Sequence, residues 1–188
     1  MSRWLQQLQL EALSALDPRL GDRLLDVGCG SGAAVRAAAS SVDRVVGVDL
    51  SEGMIARARE LAGATANVEF SVADAEALPF EDATFTALLC TTSFHHYPNP
   101  ERAVAEMARV LTPGGRIVIA DMVSDRLIMR AVDQMLRRTQ RSHVGCQRSN
   151  GLASLLTGAG LAVSITRPLF HGFFAIVAAQ HTESTATG

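Results

Sequence analysis

Residues 26–32 read Asp26-Val27-Gly28-Cys29-Gly30-Ser31-Gly32, an acid followed by three glycines on alternate positions. Glycine tolerates positive φ and lets a ligand approach the bare backbone. The apolar run Leu24-Leu25 before the acid reads as a buried strand, and the alanine-rich segment 33–39 after the glycines reads as a helix. N–H groups at the start of that helix are expected to face a ligand. Gly28, Gly30 and Ala33 also satisfy the looser dinucleotide pattern G-x-G-x-x-G/A. An acid two residues before the first glycine would repel a pyrophosphate, whereas it suits a ligand with a cationic end.

Further candidates lie where later strands end. Asp49 closes the apolar stretch 44–48, and Ser51 opens the helix that carries Met54. An acid there can accept both hydroxyls of a ribose in a bidentate contact. A fourth apolar stretch, 85–90, runs into Thr91-Thr92-Ser93-Phe94-His95-His96-Tyr97. Carboxyl ends of parallel strands are where such sheets bind ligands, and imidazole titrates near working pH. His95, His96, Tyr97, His143 and His171 are therefore candidate bases. The three cysteines, Cys29, Cys90 and Cys146, are widely spaced and read as free thiols. No metal site is expected.

The motif at 26–32 resembles motif I of class I S-adenosylmethionine (SAM) dependent methyltransferases. The resemblance tightens at Asp74-Ala75-Glu76-Ala77-Leu78-Pro79-Phe80 and at the segment 105–116, which ends in Pro113-Gly114-Gly115-Arg116. It covers about residues 22–122 strongly and 149–180 weakly. It points to the broad branch that includes ubiquinone/menaquinone C-methyltransferases and natural-product methyltransferases. The resemblance implies SAM as cofactor, S-adenosylhomocysteine as product, and a small-molecule acceptor. It implies that Asp26, Gly28, Gly30, Gly32, Asp49, Leu50, Met54, Asp74, Ala75 and Thr91 bind the cofactor. In it Asp74 would accept from the adenine amino group, and the Ala75 N–H would donate to the ring. His96 and His95 are the catalytic candidates, against a purely gating role for the pair. The alternatives are a SAM-binding protein without methyl transfer and a nicotinamide-dependent oxidoreductase.

These residues need a scaffold, and the alternation of strand and helix patterns supplies one. It predicts a doubly wound, mostly parallel sheet. The resemblance implies seven strands in the order 3-2-1-4-5-7-6, the last antiparallel. The 188 residues suit one domain spanning 1–188. Within it, an amphipathic helix over 4–16 sits in an N-terminal lid segment, 1–20, and residues 181–188 form a polar tail. Residues 125–141 are expected to be helical with Ile128, Val132, Met135 and Leu136 inward. Ser149 is expected to cap the next helix.

All 17 basic residues are arginine. Residues 1–124 carry a formal charge of −6 and residues 125–188 a formal +4. The acidic balance, −2 overall, argues against a nucleic-acid partner, as does the absence of an Asn-Pro-Pro-Tyr type motif after strand four. The arginines from 126 to 148 read as a solvated helix face or a rim for an anionic acceptor. No apolar run is long enough for a membrane span, and the first residues lack the pattern of a secretory signal. A cytoplasmic location is the expectation. The short stretch before residue 22 predicts an open acceptor cleft, suited to a bulky substrate or to closure by a second subunit in a homodimer.

Overall fold

The computed structural model describes residues 3–140 and 142–182. Seven strands alternate with helices along most of the chain: β1 (Arg23–Val27), β2 (Arg44–Asp49), β3 (Val68–Val72), β4 (Phe85–Thr91), β5 (Leu111–Met122), β6 (Leu161–Leu169) and β7 (Phe174–His181). The helices are α1 (Arg3–Leu16), α2 (Ala33–Ala38), α3 (Glu52–Ala62), α4 (Pro100–Val110), α5 (Leu127–Thr139) and α6 (Ser149–Gly158). The strands form one sheet in the order β3-β2-β1-β4-β5-β7-β6. β1 to β5 pair in parallel, and β7 runs antiparallel between β5 and β6, as expected.

The central strands are buried on both faces, which is why they read as continuous apolar runs. Leu25, Val27, Leu88, Ile117 and Ile119 pack with α4 and α6 on one side. Leu24, Val45, Leu89 and Val118 pack with α1, α2 and α3 on the other. Helix starts follow local chemistry. Asn99 accepts from the Arg102 N–H (3.1 Å) with Pro100 in the first turn, and Ser51 accepts from the Met54 N–H (3.3 Å).

Helix α1 serves two ends. Leu8, Ala12, Leu13 and Leu16 are buried against the sheet, while Leu5 and Gln9 line the cleft described below.

Four expectations need correction. In α5, Ile128 and Met135 are exposed and Val132 and Leu136 only half-buried; the buried residues are Met129 and Asp133. Asp133 turns inward because it gathers the loop that follows. Its Oδ1 accepts from His143 Nε2 (2.8 Å) and the Cys146 N–H (2.7 Å), and its Oδ2 from Arg137 Nε (3.0 Å). Secondly, β5 begins at Leu111, so Pro113-Gly114-Gly115 lies within the strand rather than before it. Thirdly, the residue capping α6 is Arg148, with no side-chain bond, and Ser149 is already helical. Fourthly, the tail begins later than expected. β7 continues through His181, and Gln180 Nε2 donates to the Gly114 carbonyl (2.9 Å). The rest of the tail, 183–188, and Arg141 lie outside the described residues.

Candidate cofactor and acceptor cleft

A cleft of about 840 Å³ opens at the carboxyl ends of β1, β2 and β4. Gly28, Gly30, Asp49, Leu50, Met54, Thr91 and His96 all line it. A smaller recess of about 130 Å³ adjoins it, sharing Gly28, Asp49, Leu50 and His96 and adding Asp74, Ala75 and Tyr97. Nine of the twelve residues expected at the site thus meet around one continuous space. The other three are Asp26, Gly32 and His95.

The three glycines have three separate reasons to be glycine. A Cβ at Gly28 would lie 2.3 Å from Ser93 Cβ and Oγ, so the turn packs directly on the end of β4. A Cβ at Gly32 would lie 2.5 Å from the Phe70 ring, and Gly32 does not line the cleft. A Cβ at Gly30 would meet nothing within 4 Å. Gly30 is the bare surface of the turn, with φ of 53°, where a ligand has room to lie.

Most N–H groups of the turn itself are committed within the protein. The Gly28 and Cys29 N–H groups donate to the Val48 carbonyl (2.8 and 2.9 Å), and that of Gly32 to the Cys29 carbonyl (2.9 Å). The Gly30 N–H donates to Asp49 Oδ2 (2.9 Å). Asp49 Oδ1 accepts from the Ser51 N–H (2.9 Å). One carboxylate thereby ties the glycine turn to the start of α3. Each of its oxygens keeps a lone pair for a hydroxyl.

Asp26 departs from its expected place. It does not face the cleft but lies behind the turn, 1 % exposed, with neither carboxylate oxygen hydrogen-bonded. Burial, and then the charge of Asp49, push its pKa up to about 7. An unpartnered buried carboxyl beside a second acid is costly. A cationic group settled against the turn would supply the missing charge. Leu50 (73 % exposed) and Met54 (49 %) offer an uncovered apolar wall beside Asp49. In the recess, the Ala75 backbone and the Asp74 carboxylate, whose Oδ1 accepts from the Glu76 N–H (2.9 Å), stand next to each other. These features fit the parts of SAM, a cationic end, a ribose and an adenine, which the turn, Asp49 and the recess beside Asp74 would hold.

The two histidines are not equivalent. His95 is buried and does not line the cleft. Its Nδ1–H donates to Asp121 Oδ1 (2.7 Å) and its backbone N–H to Asp121 Oδ2 (3.1 Å). Its carbonyl accepts from the Val144 and Gly145 N–H groups (3.0 and 3.1 Å). His95 therefore anchors the loop after α5. His96 lines the cleft, its ring centroid 4.0 Å from that of His95. Its Nδ1 lies 2.5 Å from the Ser142 carbonyl. A carbonyl only accepts, so Nδ1 carries the proton and Nε2 is the acceptor. Burial, then the neighbouring His95, lowers the His96 pKa and so favours the neutral ring.

The remaining candidate bases are occupied or remote. Tyr97 Oη bonds with Ser93 Oγ (3.0 Å) and the Val27 carbonyl (3.3 Å), and burial raises its pKa well above the ordinary value. His143 is buried on Asp133. His171 is exposed in the turn before β7.

Sequence reasoning missed Ser142 and Cys29 as cleft-lining residues, and Asp121 as the anchor of His95. Asp121 was legible as an acid ending a strand. Ser142 carries no signal, because its contribution is a carbonyl placed by Asp133.

A methyltransferase domain family model matches residues 25–119, half of the chain. The chain is 35% identical over 166 residues to an uncharacterised 37.1 kDa protein of transposon Tn4556 from Streptomyces fradiae, covering 84% of this chain and 48% of that protein. It is 36% identical over 141 residues to a demethylmenaquinone methyltransferase of Clavibacter sepedonicus, covering 74% and 58%. A 27-O-demethylrifamycin SV methyltransferase of Amycolatopsis mediterranei matches at 40% over 109 residues, covering 56% and 40%. The chain spans about half the length of these curated relatives. Among solved structures, the YcgJ protein of Bacillus subtilis superposes with a TM-score of 0.84 at 21% identity, covering 95% of this chain and all of that one. The [4+2]-cyclase SpnF shares the fold at a TM-score of 0.78 and 21% identity, over 95% and 82%. The glycine turn and the acid at the end of β2 lie inside the matched span, and the chain belongs to the methyltransferase domain family.

Proposed function

We propose that the chain binds SAM in this cleft and transfers its methyl group to a small-molecule acceptor. The observation that carries the reading is the convergence of Gly30, Asp49, Asp74 and His96 on one continuous space, with an unpartnered buried carboxyl, Asp26, behind it. SAM supplies an electrophilic methyl on a sulfonium. Gly30 leaves room for the ligand's methionyl part, Asp49 accepts from the ribose hydroxyls, and Asp74 with the Ala75 N–H reads the adenine edge. Asp26 offers charge compensation from behind the turn. The names of the relatives, which include menaquinone and rifamycin methyltransferases, support a small organic acceptor.

His96 is the residue placed to take a proton from that acceptor. Its Nδ1–H is held by the Ser142 carbonyl, so Nε2 is free to accept. His95 is a positioning residue, fixed by Asp121, with its ring tilted 50° against that of His96. The remaining contribution is orientation of the two reactants and exclusion of water.

Calorimetry tests the cofactor and single-turnover transfer tests the chemistry. SAM should bind and NAD should not. Asp49→Ala should weaken SAM roughly 10- to 150-fold, as expected for lost bonds worth about 1.5–3 kcal/mol. An unchanged affinity in a folded Asp49→Ala protein would remove Asp49 from the site. His96→Gln should keep SAM affinity and slow transfer by about 10²–10⁴-fold, most for acceptors of high pKa. Wild-type transfer should fall only at pH below the ordinary imidazole range, because the His96 pKa is lowered. A flat, near-wild-type pH profile for His96→Gln would leave positioning alone as the source of rate. The SpnF likeness shows the fold in a protein named a cyclase. SAM binding without transfer to any acceptor would favour that kind of use.

A further inference from the structure

Helix α5 carries an apolar stripe on its outer side. Leu127 is 77 % exposed, Ile128 61 % and Met135 56 %, with exposed Ala131 between them. The spacing 127/128, 131, 135 is one helical face. Exposed Arg126, Arg130 and Arg138 flank it. The helix's one acid, Asp133, is turned inward and already paired. Nearby Asp125 is exposed, and its Oδ1 accepts from the Ser149 N–H (2.9 Å). The stripe continues onto neighbouring elements. A Cβ at Gly172 would lie 3.0 Å from Arg126 Nε, so the turn before β7 abuts the start of α5. Phe173 in that turn is 36 % exposed. Trp4, half-exposed, sets its ring 5.5 Å from that of Phe174. Its neighbour Leu5 and the Ser142 that follows α5 both line the cleft. The patch thus borders the cleft mouth.

The combination of charges and apolar groups selects the occupant. A second copy docking face to face would set arginines against arginines. A free anion would engage the arginines and leave Leu127, Ile128 and Trp4 in water. An anionic bilayer surface satisfies both sets. Apolar side chains and the Trp ring enter the boundary between headgroups and acyl chains, while guanidinium groups pair with phosphates. We propose that α5, Trp4 and Phe173 dock this chain on an anionic lipid surface, with the cleft mouth beside the membrane. Resting on the methyltransferase reading, the acceptor class that follows is an amphiphile drawn from that surface. The docking itself does not depend on that reading.

The test is co-sedimentation of the full chain with vesicles of phosphatidylcholine alone and of phosphatidylcholine mixed equally with phosphatidylglycerol. Binding to the mixed vesicles should be tenfold or more stronger, on the order of what a few surface arginines contribute, and should weaken as salt rises. The double variant Leu127→Asp/Ile128→Asp and the charge variant Arg126→Glu/Arg138→Glu should each lose about tenfold or more in partition. SAM affinity by calorimetry should stay at the wild-type value in both, which separates docking from the cofactor site. The proposal is overturned if the wild type ignores vesicles, binds neutral and anionic ones equally, or keeps its partition in both variants. Sedimentation equilibrium showing a dimer that Leu127→Asp/Ile128→Asp abolishes would instead make this face an interface between copies.

Discussion

The glycine turn and the edge of the molecule around α5 are built by opposite means. Around the glycine turn, backbone groups and one carboxylate knit the ends of β1 and β2 and the residues just after β4 together. Gly28 and Cys29 bond to Val48, Gly30 bonds to Asp49, and Ser93 fills the space a Cβ at Gly28 would need. Around α5, one buried carboxylate gathers a loop, and the apolar side chains of the helix face outward. Burial raises the Asp133 pKa, but the bonds from Cys146, His143 and Arg137 outweigh it and hold the group below the ordinary carboxylate value. Asp26 shows the reverse: burial with no partner, and a raised pKa. Two buried acids therefore differ in whether the protein itself completes them. The bonds to Asp133 hold a loop in place, whereas the Asp26 carboxylate has no hydrogen-bond partner within the protein.

The largest effect should come from removing the incomplete charge. The folded pKa of Asp26, about 7, lies above the unfolded carboxylate value of 3.8. The folded state therefore binds the extra proton. Its advantage is full below about pH 4, is lost as pH rises to about 7, and the resulting penalty is constant above that. At pH 8 the penalty amounts to about 4 kcal/mol at roughly 1.4 kcal/mol per unit. Asp26→Asn should stabilise the cofactor-free chain at pH 8 by up to that amount, little at pH 4, and should weaken SAM binding. Thermal or denaturant melts at both pH values, with calorimetry, measure this. A destabilised Asp26→Asn at pH 8 would mean that Asp26 already has a partner.

Removing the complete charge should do the opposite. Asp133→Ala strands a buried histidine, a backbone N–H and an arginine, at a cost of about 3 kcal/mol. Release of the loop should also free the Ser142 carbonyl from His96, so methyl transfer should fall while SAM affinity stays near wild type. A denaturant midpoint close to wild type would show that the loop holds without Asp133, and the contrast with Asp26 would collapse.

The smallest stability effect sharpens the difference within the turn. Gly30→Ala places a methyl in open space at positive φ, costing about 1–2 kcal/mol. Gly28→Ala meets Ser93 and should cost more. SAM affinity in the folded Gly30→Ala protein should nonetheless fall sharply, because the methyl occupies ligand space. Near-normal SAM binding by that variant would move the cofactor off this turn.

The sequence by itself determined the sheet, its strand order by resemblance, and most of the cleft. Glycine spacing, acids at strand ends and continuous apolar strands are local signals, because each records what a few consecutive residues must do. The tertiary structure alone decided three things. It separated three like glycines into one open position and two packed ones, because close approach depends on Ser93, just beyond β4, and Phe70 in β3, both distant in sequence. It divided His95 from His96, because the Nδ1 partner of each lies 26 or 46 residues away. It also turned α5 over. The helical period of Ile128, Val132, Met135 and Leu136 is real, but periodicity cannot say which face is buried when an acid on the opposite side has three partners waiting in the fold.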